Sequence, residues 1–255
     1  MKVADNIKFW NEVKSTSKDN LTKKAKTEGT ISLYNLVKNT PKRELNKMAK
    51  MVCKHSHNFW KHPNCFVEEF GVKEKIGILD IEPHNLNADY GVCICYTIKE
   101  YGKEIYYQDN ITAKDIKKGW EDKRVLENLV KDLRRFDRIV GFYISDRKFD
   151  LPYLRSRCMK YNIDFPAYGE LWITDLHSIV RNKMKLRRRS LRVVCDHLDI
   201  PSKSIFTTPE MALARIRGDK KALKESSSHA REDVVSTEKL YDRLNPYFKL
   251  TKTSI

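Results

Sequence analysis

The chain has 255 residues, and its 50 lysines and arginines outnumber its 34 acidic residues, which gives a formal net charge of +16. Such a charge favours a polyanionic partner, above all nucleic acid, and disfavours small cations as substrates. The length is enough for one domain with a full hydrophobic core and a small additional module, and no apolar stretch is long enough to span a membrane.

Residues 1–72 differ from the rest of the chain because they are rich in lysine and poor in long apolar strands. Short helical patterns occur at about 7–13, 31–37 and 41–53. They predict a small, basic, helical module that helps to hold nucleic acid. The alternative is an extension that only packs against the remainder, 73–255, and the sequence favours neither.

The segment 53–65, at the end of this region, is rich in potential zinc ligands, with two thiols and three imidazoles. A closed structural Zn²⁺ site needs four such ligands. The set predicted here is Cys53, His57, His62 and Cys65. The other interpretation is a turn that neighbouring aromatic side chains anchor to the core, with the histidines on the surface. Both stay open because the spacing matches no common zinc finger.

The first candidate catalytic residues lie in the strand predicted at 75–82, an apolar run that ends in Asp80 and Glu82. Because side chains alternate between the two faces of a strand, both carboxylates lie on the same face. Two carboxylates in a buried strand repel each other and lose hydration, and a divalent cation between them removes that cost. The alternative is a strand end whose acids point into water.

The segments that follow predict an α/β domain. Strand patterns at 75–82, 90–99 and 103–108 precede a long helical pattern at 113–136, a strand at 138–144, a helix at 150–161, a short strand at 171–176, and a helical remainder with breaks at Pro201, Pro209 and Gly218. The central strands are apolar on both faces, which is typical of a sheet covered on both sides. We therefore predict a mixed sheet flanked by helices.

Asp150 stands at a predicted loop-to-helix junction, because Pro152 is tolerated in the first turn of a helix and disfavours helix before it. From that position its carboxylate is able to face the strand that carries Asp80 and Glu82. The alternative is an acid at a helix N-terminus that the helix dipole stabilises.

A fourth acidic residue, Asp233, follows His229 by four residues in an amphipathic helical pattern. The two side chains therefore share one helix face, about one turn apart. The serines at 226–228 are expected to lead into this helix. Alone, a His and an Asp at this spacing are typical of a surface pair, and the catalytic interpretation depends on all three acidic motifs occurring in this order.

Together these motifs resemble those of the DEDD (DnaQ-like) 3′–5′ exonuclease superfamily, which has a ribonuclease H-like fold. They are Leu79-Asp80-Ile81-Glu82, then Phe149-Asp150-Leu151-Pro152, then His229-x-x-x-Asp233 with Thr237, Leu240 and Tyr241. Over about 74–248 the chain is similar to the predicted exonuclease branch that is related to the proofreading domains of family B DNA polymerases. It departs from that branch in two places: Ser145 begins a stretch where Asn or Gly is common, and His229 stands where this spacing usually has Tyr.

The resemblance implies a metal-dependent 3′–5′ exonuclease that hydrolyses phosphodiester bonds of nucleic acid, with single-stranded DNA favoured over RNA and with two Mg²⁺ or Mn²⁺ ions as cofactors. Asp80 would bridge both ions, Glu82 and Asp233 would complete the first site, and Asp150 would serve the second. His229 would accept or orient a proton of the attacking water. The alternatives are a structure-selective endonuclease on the same fold, a noncatalytic nucleic-acid-binding protein, and a proofreading subunit of a separate polymerase.

The densest basic run, 181–192, lies between the second and third acidic motifs. Its candidate phosphate contacts, near the start of a helix predicted after Ser190, are Arg187, Arg188, Arg189 and Arg192. Phosphate contacts carry no sequence information, so this patch predicts salt-sensitive and largely nonspecific affinity. We further expect a monomer with reduced cysteines and no membrane association, acting with a replication or repair protein. Its expected location is the cytoplasm, or that of a host cell if a phage encodes it.

Overall fold

The computed structural model describes residues 12–13, 15–28, 31–52, 74–119, 122–202, 208–251 and 253–254. The chain divides into two compact units, Met1–Glu74 and Lys75–Ile255. The four predicted zinc ligands, between 53 and 65, lie outside the described residues. Among the residues that are described, no helix combines the length and the apolar character that a membrane crossing requires.

The described part of the first unit contains three helices: α1 Lys18–Glu28, α2 Ile31–Asn39 and α3 Lys42–Met48. Helix α1 was not predicted from the sequence pattern, because Leu21 and Ala25 are its only buried apolar residues and the rest of its surface is polar. The predicted helix at 7–13 falls almost entirely outside the described residues.

The second unit is built on a five-stranded mixed sheet with the strand order β3-β2-β1-β4-β5. Its elements are β1 Ile76–Pro83, β2 Cys93–Glu100, β3 Tyr106–Asn110, α4 Ala113–Lys117, α5 Lys123–Leu133, β4 Arg138–Gly141, α6 Asp150–Lys160, β5 Trp172–Asp175, α7 Leu176–Lys183, α8 Leu191–His197, α9 Pro209–Ile216 and α10 Lys220–Leu244. Strands β1, β2 and β3 pair antiparallel, while β4 and β5 run parallel to β1. The predicted mixed sheet with flanking helices is confirmed.

The parallel strands bring their carboxyl ends to one edge of the sheet. Ile78 of β1 pairs with Val140 of β4, and Gly141 pairs with Asp175 at the end of β5. Residues that follow these pairs therefore emerge side by side, which is where α/β proteins commonly place their sites.

Both faces of the sheet are covered, and alternation along β1 decides which residues meet which helix. Leu79 and Ile81 belong to a core that includes the buried side chains of α5 and α6. Ile76 and Ile78 belong to a second core, formed with α7, α8 and α10. The even-numbered residues of β1 thus face α10, and this parity also directs its two carboxylates toward that helix.

Two details of the predicted helices were wrong. The pattern at 113–136 forms two helices, because Gly119 adopts a φ of +98° and accordingly ends α4, a conformation that favours glycine. The serines at 226–228 lie inside α10 and do not precede it. The Ser226 hydroxyl donates to the carbonyl of Ala222 at 3.1 Å, a bond that lets a serine sit within a helix.

Candidate active site

The first two acidic residues of the site, Asp80 and Glu82, lie near the carboxyl end of β1. Asp80 is paired with Thr97 and Glu82 with Cys95 across the antiparallel ladder, and a register irregularity follows Glu82. Both carboxylates are partly exposed, while Leu79 and Ile81 between and before them are buried. The strand therefore holds its two acids rigidly on one face at the sheet edge.

Helix α10 supplies the third acid from across the same face. Its buried residues recur every three or four positions, and they include His229 and Asp233. Asp80, Glu82 and Asp233 each offer a carboxylate oxygen, and these three oxygens lie within 4.8 Å of one another. In the described part of the chain this is the one such group of His, Cys, Asp or Glu ligand atoms. We call these three residues the acidic cluster.

The chemistry of the acidic cluster fits a hard divalent cation. Three carboxylates at this separation repel one another, and a cation bound between them would relieve that repulsion. All the available ligand atoms are oxygens, which is the donor set that Mg²⁺ and Mn²⁺ prefer over zinc or copper. The cluster is able to hold such an ion through all three side chains.

The negative charge of the cluster also affects its neighbours in the sheet. Burial, followed by the charges of Glu82 and Asp80, raises the pKa of the Cys95 thiol far above its usual range. The thiol therefore stays protonated. Cys93, Cys95, Cys158 and Cys195 are buried and free, in agreement with the expectation of reduced cysteines.

Arg215 of α9 is a component of the site that sequence reasoning missed. Its Nη1 lies 3.7 Å from Oε2 of Glu82, and the residue is only 5% exposed. Its Nε and Nη2 are buried and have no hydrogen-bond partner among the described residues. The sequence carries no signal for this contact, because α9 is amphipathic in the ordinary way and Arg215 lies far from Glu82 along the chain.

The structure places Asp150 at the first residue of α6, as its proximity to Pro152 predicted, but outside the acidic cluster. It is 7% exposed. Burial raises its pKa well above the usual range for an aspartate, and the charge of Asp175 adds to that rise. Among the described residues, no lysine or arginine forms an ion pair with Asp150.

Asp175, at the end of β5, is the second residue that sequence reasoning missed. Its carboxylate accepts hydrogen bonds from the backbone of Tyr143 (3.1 Å) and of His177 (2.9 Å) and from the hydroxyls of Ser145 (2.8 Å) and Ser178 (3.2 Å). It thus ties the segment after β4 to the start of α7. An acid between a predicted strand and a predicted helix is a signal for such an N-cap and was available in the sequence.

His229 lies on the buried face of α10, one turn before Asp233, and is 5% exposed. It is not a member of the acidic cluster. Its Nδ1 is buried and makes no hydrogen bond within the described part of the protein. This nitrogen is an unsatisfied polar atom on the helix face that also carries Asp233.

The four predicted phosphate-binding arginines lie at the junction of α7 and α8. Helix α8 begins after Ser190, as predicted, and Arg187, Arg188 and Arg192 are exposed. Arg189 is partly buried, and its Nε has no hydrogen-bond partner among the described residues. Arg192 also lies 3.5 Å from the carboxylate of Asp196, one turn further along α8.

A solved structure with a similar fold is the family B DNA polymerase from the hyperthermophilic archaeon Pyrobaculum calidifontis, with a TM-score of 0.55 and 18% sequence identity. The match covers 68% of this chain and 25% of the polymerase, so this chain spans about a quarter of that protein's length. No curated protein sequence matches the chain.

The family model of the RNase H superfamily matches residues 78–245, a range that begins in β1 and ends just after α10. The matched range contains all four acidic residues of the three motifs, and the ribonuclease H-like resemblance inferred from those motifs is confirmed. Nuclease chemistry is the activity that this fold and its acidic cluster support. The chain belongs to the RNase H superfamily.

Proposed function

We propose that the protein is a metal-dependent 3′–5′ exonuclease that acts on single-stranded DNA. The observation that carries the proposal is the acidic cluster, in which Asp80 and Glu82 from β1 meet Asp233 from α10. These residues belong to two motifs that are far apart in the sequence, and they meet on the face of the sheet that the alternation of β1 predicts. The remaining motif, the second in chain order, contributes Asp150, the first residue of α6.

Asp80, Glu82 and Asp233 would hold the divalent ions, Mg²⁺ or Mn²⁺, and Asp150 would serve a second position outside the cluster. A bound pair of such ions stabilises the attacking and leaving oxygens of a phosphodiester displacement. Asp150 supports this assignment through its lack of an internal cation, because a buried carboxylate without a partner gains most from an ion that arrives from solvent.

His229 would accept or orient the proton of the attacking water. Its position one turn before Asp233, on the same face of α10, supports this role. General-base catalysis of this kind typically contributes about 10²–10⁴-fold in rate, so His229→Ala is expected to retain weak activity where loss of a cluster carboxylate does not.

The preference for DNA over RNA, the 3′–5′ direction and the association with a replication or repair protein rest on the resemblance of the motifs to polymerase-related exonucleases. The basic surface between α7 and α8 supports a nucleic-acid substrate in general, since its exposed arginines offer charge to phosphates without reading bases. A noncatalytic binding protein would share that surface but would not need the acidic cluster.

The test compares the wild-type protein with Asp80→Asn on single-stranded DNA and RNA labelled at the 5′ end, with Mg²⁺ or Mn²⁺. We expect a ladder of shortening products from the wild type and a loss of about 10³-fold or more in the variant, because several kcal/mol of transition-state stabilisation depend on the ions. Asp164→Asn is the matched control, since Asp164 is highly exposed and lies outside the cluster. Cleavage of a closed single-stranded circle would instead establish an endonuclease, and equal activity of Asp80→Asn would refute the proposed site.

A further inference from the structure

A second feature of the sheet edge is a groove of about 560 Å³ that the acidic cluster does not line. Its lining residues are Phe142, Tyr143, His177, Arg189, Ser190 and Leu191, which we call the aromatic shelf. The His177 ring makes edge contacts with both other rings, at centroid distances of 4.7 Å from Tyr143 and 5.6 Å from Phe142. The shelf is therefore a packed set of three rings beside a basic residue.

Tyr143 holds an unusual conformation on this shelf. Its φ is +73°, a region that residues with bulky side chains rarely adopt, and the residue is 44% exposed. Its backbone N–H donates to Asp175, and its carbonyl accepts from the backbone of Phe149 at 3.0 Å. The protein thus fixes a strained backbone and presents a large ring to solvent, a combination that is typical of functional positions.

Positive charge surrounds the exposed ring. Lys148 Nζ lies 4.7 Å from the centre of the Tyr143 ring, and Arg189 is one of the residues that line the groove. Burial first, and then the charges of Lys148, Arg181 and Arg189, lower the pKa of His177 against the opposing effect of Asp175. His177 Nδ1 and Arg189 Nε are both buried without a hydrogen-bond partner among the described residues.

The shelf lies at the same edge of the sheet as the acidic cluster. Tyr143 follows the end of β4, which is the strand that runs parallel to β1 and beside it. Asp80 and Glu82 stand at the carboxyl end of β1. A polymer that enters at this edge is therefore able to contact both features at once.

We propose that the aromatic shelf binds single-stranded nucleic acid, with one unpaired base stacked on Tyr143 and adjacent phosphates on Arg189 and Lys148. Aromatic rings flanked by cations are the surfaces on which proteins stack bases without reading sequence. Bases in a duplex are already stacked on one another, so only an unpaired base offers a free face to Tyr143. This inference rests on the proposed nuclease function only for the consequence that the bound strand is also the substrate.

The test measures affinity by fluorescence anisotropy in EDTA, so that no turnover occurs. The probes are a labelled single strand of about 12 thymidine nucleotides and an abasic strand with the same number of phosphates. We expect the wild type to bind the base-containing strand about tenfold or more tightly than the abasic one. Tyr143→Ala is expected to remove this difference, and Tyr143→Phe to keep it.

Tyr143→Gly separates loss of the ring from misfolding, because glycine adopts a φ of +73° without strain. The variant should be at least as stable to heat as the wild type and should nevertheless bind both strands equally. Arg189→Gln should weaken binding to the two strands by the same factor, since it contacts phosphates. If Tyr143→Ala and Tyr143→Gly keep the preference for bases, the shelf does not bind them.

The outcomes also separate this inference from the proposed nuclease. If base-dependent affinity vanishes in Tyr143→Gly but the wild type cleaves no strand under any metal condition, the shelf stands and the nuclease fails. If the wild type cleaves and Asp80→Asn does not, while Tyr143→Gly binds like the wild type, the nuclease stands and the shelf is refuted.

Discussion

Asp122 and Asp150 are both buried aspartates, and they differ in the charge of the nearest ionisable neighbour: Asp122 meets Arg157 and Asp150 meets Asp175. Asp122 is fully buried and accepts two hydrogen bonds from Arg157 of α6, at 2.6 Å from Nη2 and 3.0 Å from Nε. It also accepts from the backbone of Cys93 at 2.8 Å. Two turns earlier on the same helix, Asp150 has a second aspartate, Asp175, as the charge that most affects it.

The difference separates a structural carboxylate from a functional one. The Asp122 charge is neutralised inside the fold by a bidentate partner, which joins the start of α5 to α6 and to the start of β2. The Asp150 charge is destabilised by the fold, and the acidic cluster likewise places three carboxylates close together, with Arg215 beside Glu82. A cation from solvent would favour the charged form of such carboxylates, so burial alone does not identify a site, whereas burial beside like charge marks a candidate one.

The largest expected effect on stability comes from breaking the buried ion pair between Asp122 and Arg157. Asp122→Ala leaves Arg157 as a buried charge without its carboxylate and leaves the Cys93 N–H without an acceptor, so we expect a loss of about 3–5 kcal/mol in the free energy of unfolding. Urea denaturation monitored by circular dichroism measures it. Asp146→Ala is the control, because the Asp146–Arg155 pair is half exposed and should contribute about 0–1 kcal/mol. Equal losses in both variants would contradict the distinction between the two carboxylates.

The sequence predicted the residues whose positions follow from local patterns, and it did not predict contacts between residues that are distant along the chain. Asp80 and Glu82 follow from the two-residue period of a strand, and the shared face of His229 and Asp233 follows from the helical period, so both were predictable. Asp150 was placed correctly by Pro152, a purely local effect. The Asp122–Arg157 pair and the Arg215–Glu82 contact join residues that are distant in sequence, and no periodicity encodes which arginine meets which acid. The split of 113–136 was missed because Gly119 interrupts a pattern whose apolar spacing is otherwise continuous.

A smaller effect, opposite in sign, is expected at Asp150. In metal-free protein, Asp150→Asn removes a carboxylate that burial and Asp175 disfavour, and it should stabilise the fold at neutral pH. Because the folded-state pKa of Asp150 is raised, the folded protein binds this proton more tightly than the unfolded chain does. The stability contributed by the protonated Asp150 is therefore complete below the unfolded pKa of about 3.9 and is lost as the pH rises through the folded pKa.

The stability advantage of Asp150→Asn should accordingly grow as the pH increases above about 4 in EDTA. Thermal unfolding of both proteins across this range measures it. Nuclease activity should fall in the same variant, since the carboxylate is removed from the proposed metal site. A variant that is less stable than the wild type at neutral pH would show that Asp150 is stabilised by the fold in the way that Asp122 is.

The smallest expected effect concerns Arg215, which lies beside Glu82 of the acidic cluster. In metal-free protein Arg215→Met removes positive charge from beside Glu82 and should lower stability by about 1 kcal/mol. The same change also removes two buried donors that have no hydrogen-bond partner among the described residues, and this removal is favourable. With Mg²⁺ bound, the ion replaces the lost positive charge, and the remaining effect of the substitution is the favourable removal of the two buried donors. The variant should therefore gain more stability from Mg²⁺ than the wild type does, as thermal unfolding with and without the ion would reveal.

Arg217→Met is the matched control, because Arg217 is exposed at the end of α9. A smaller gain from Mg²⁺ in Arg215→Met than in the wild type would mean that Arg215 helps to hold the ion and does not compete with it.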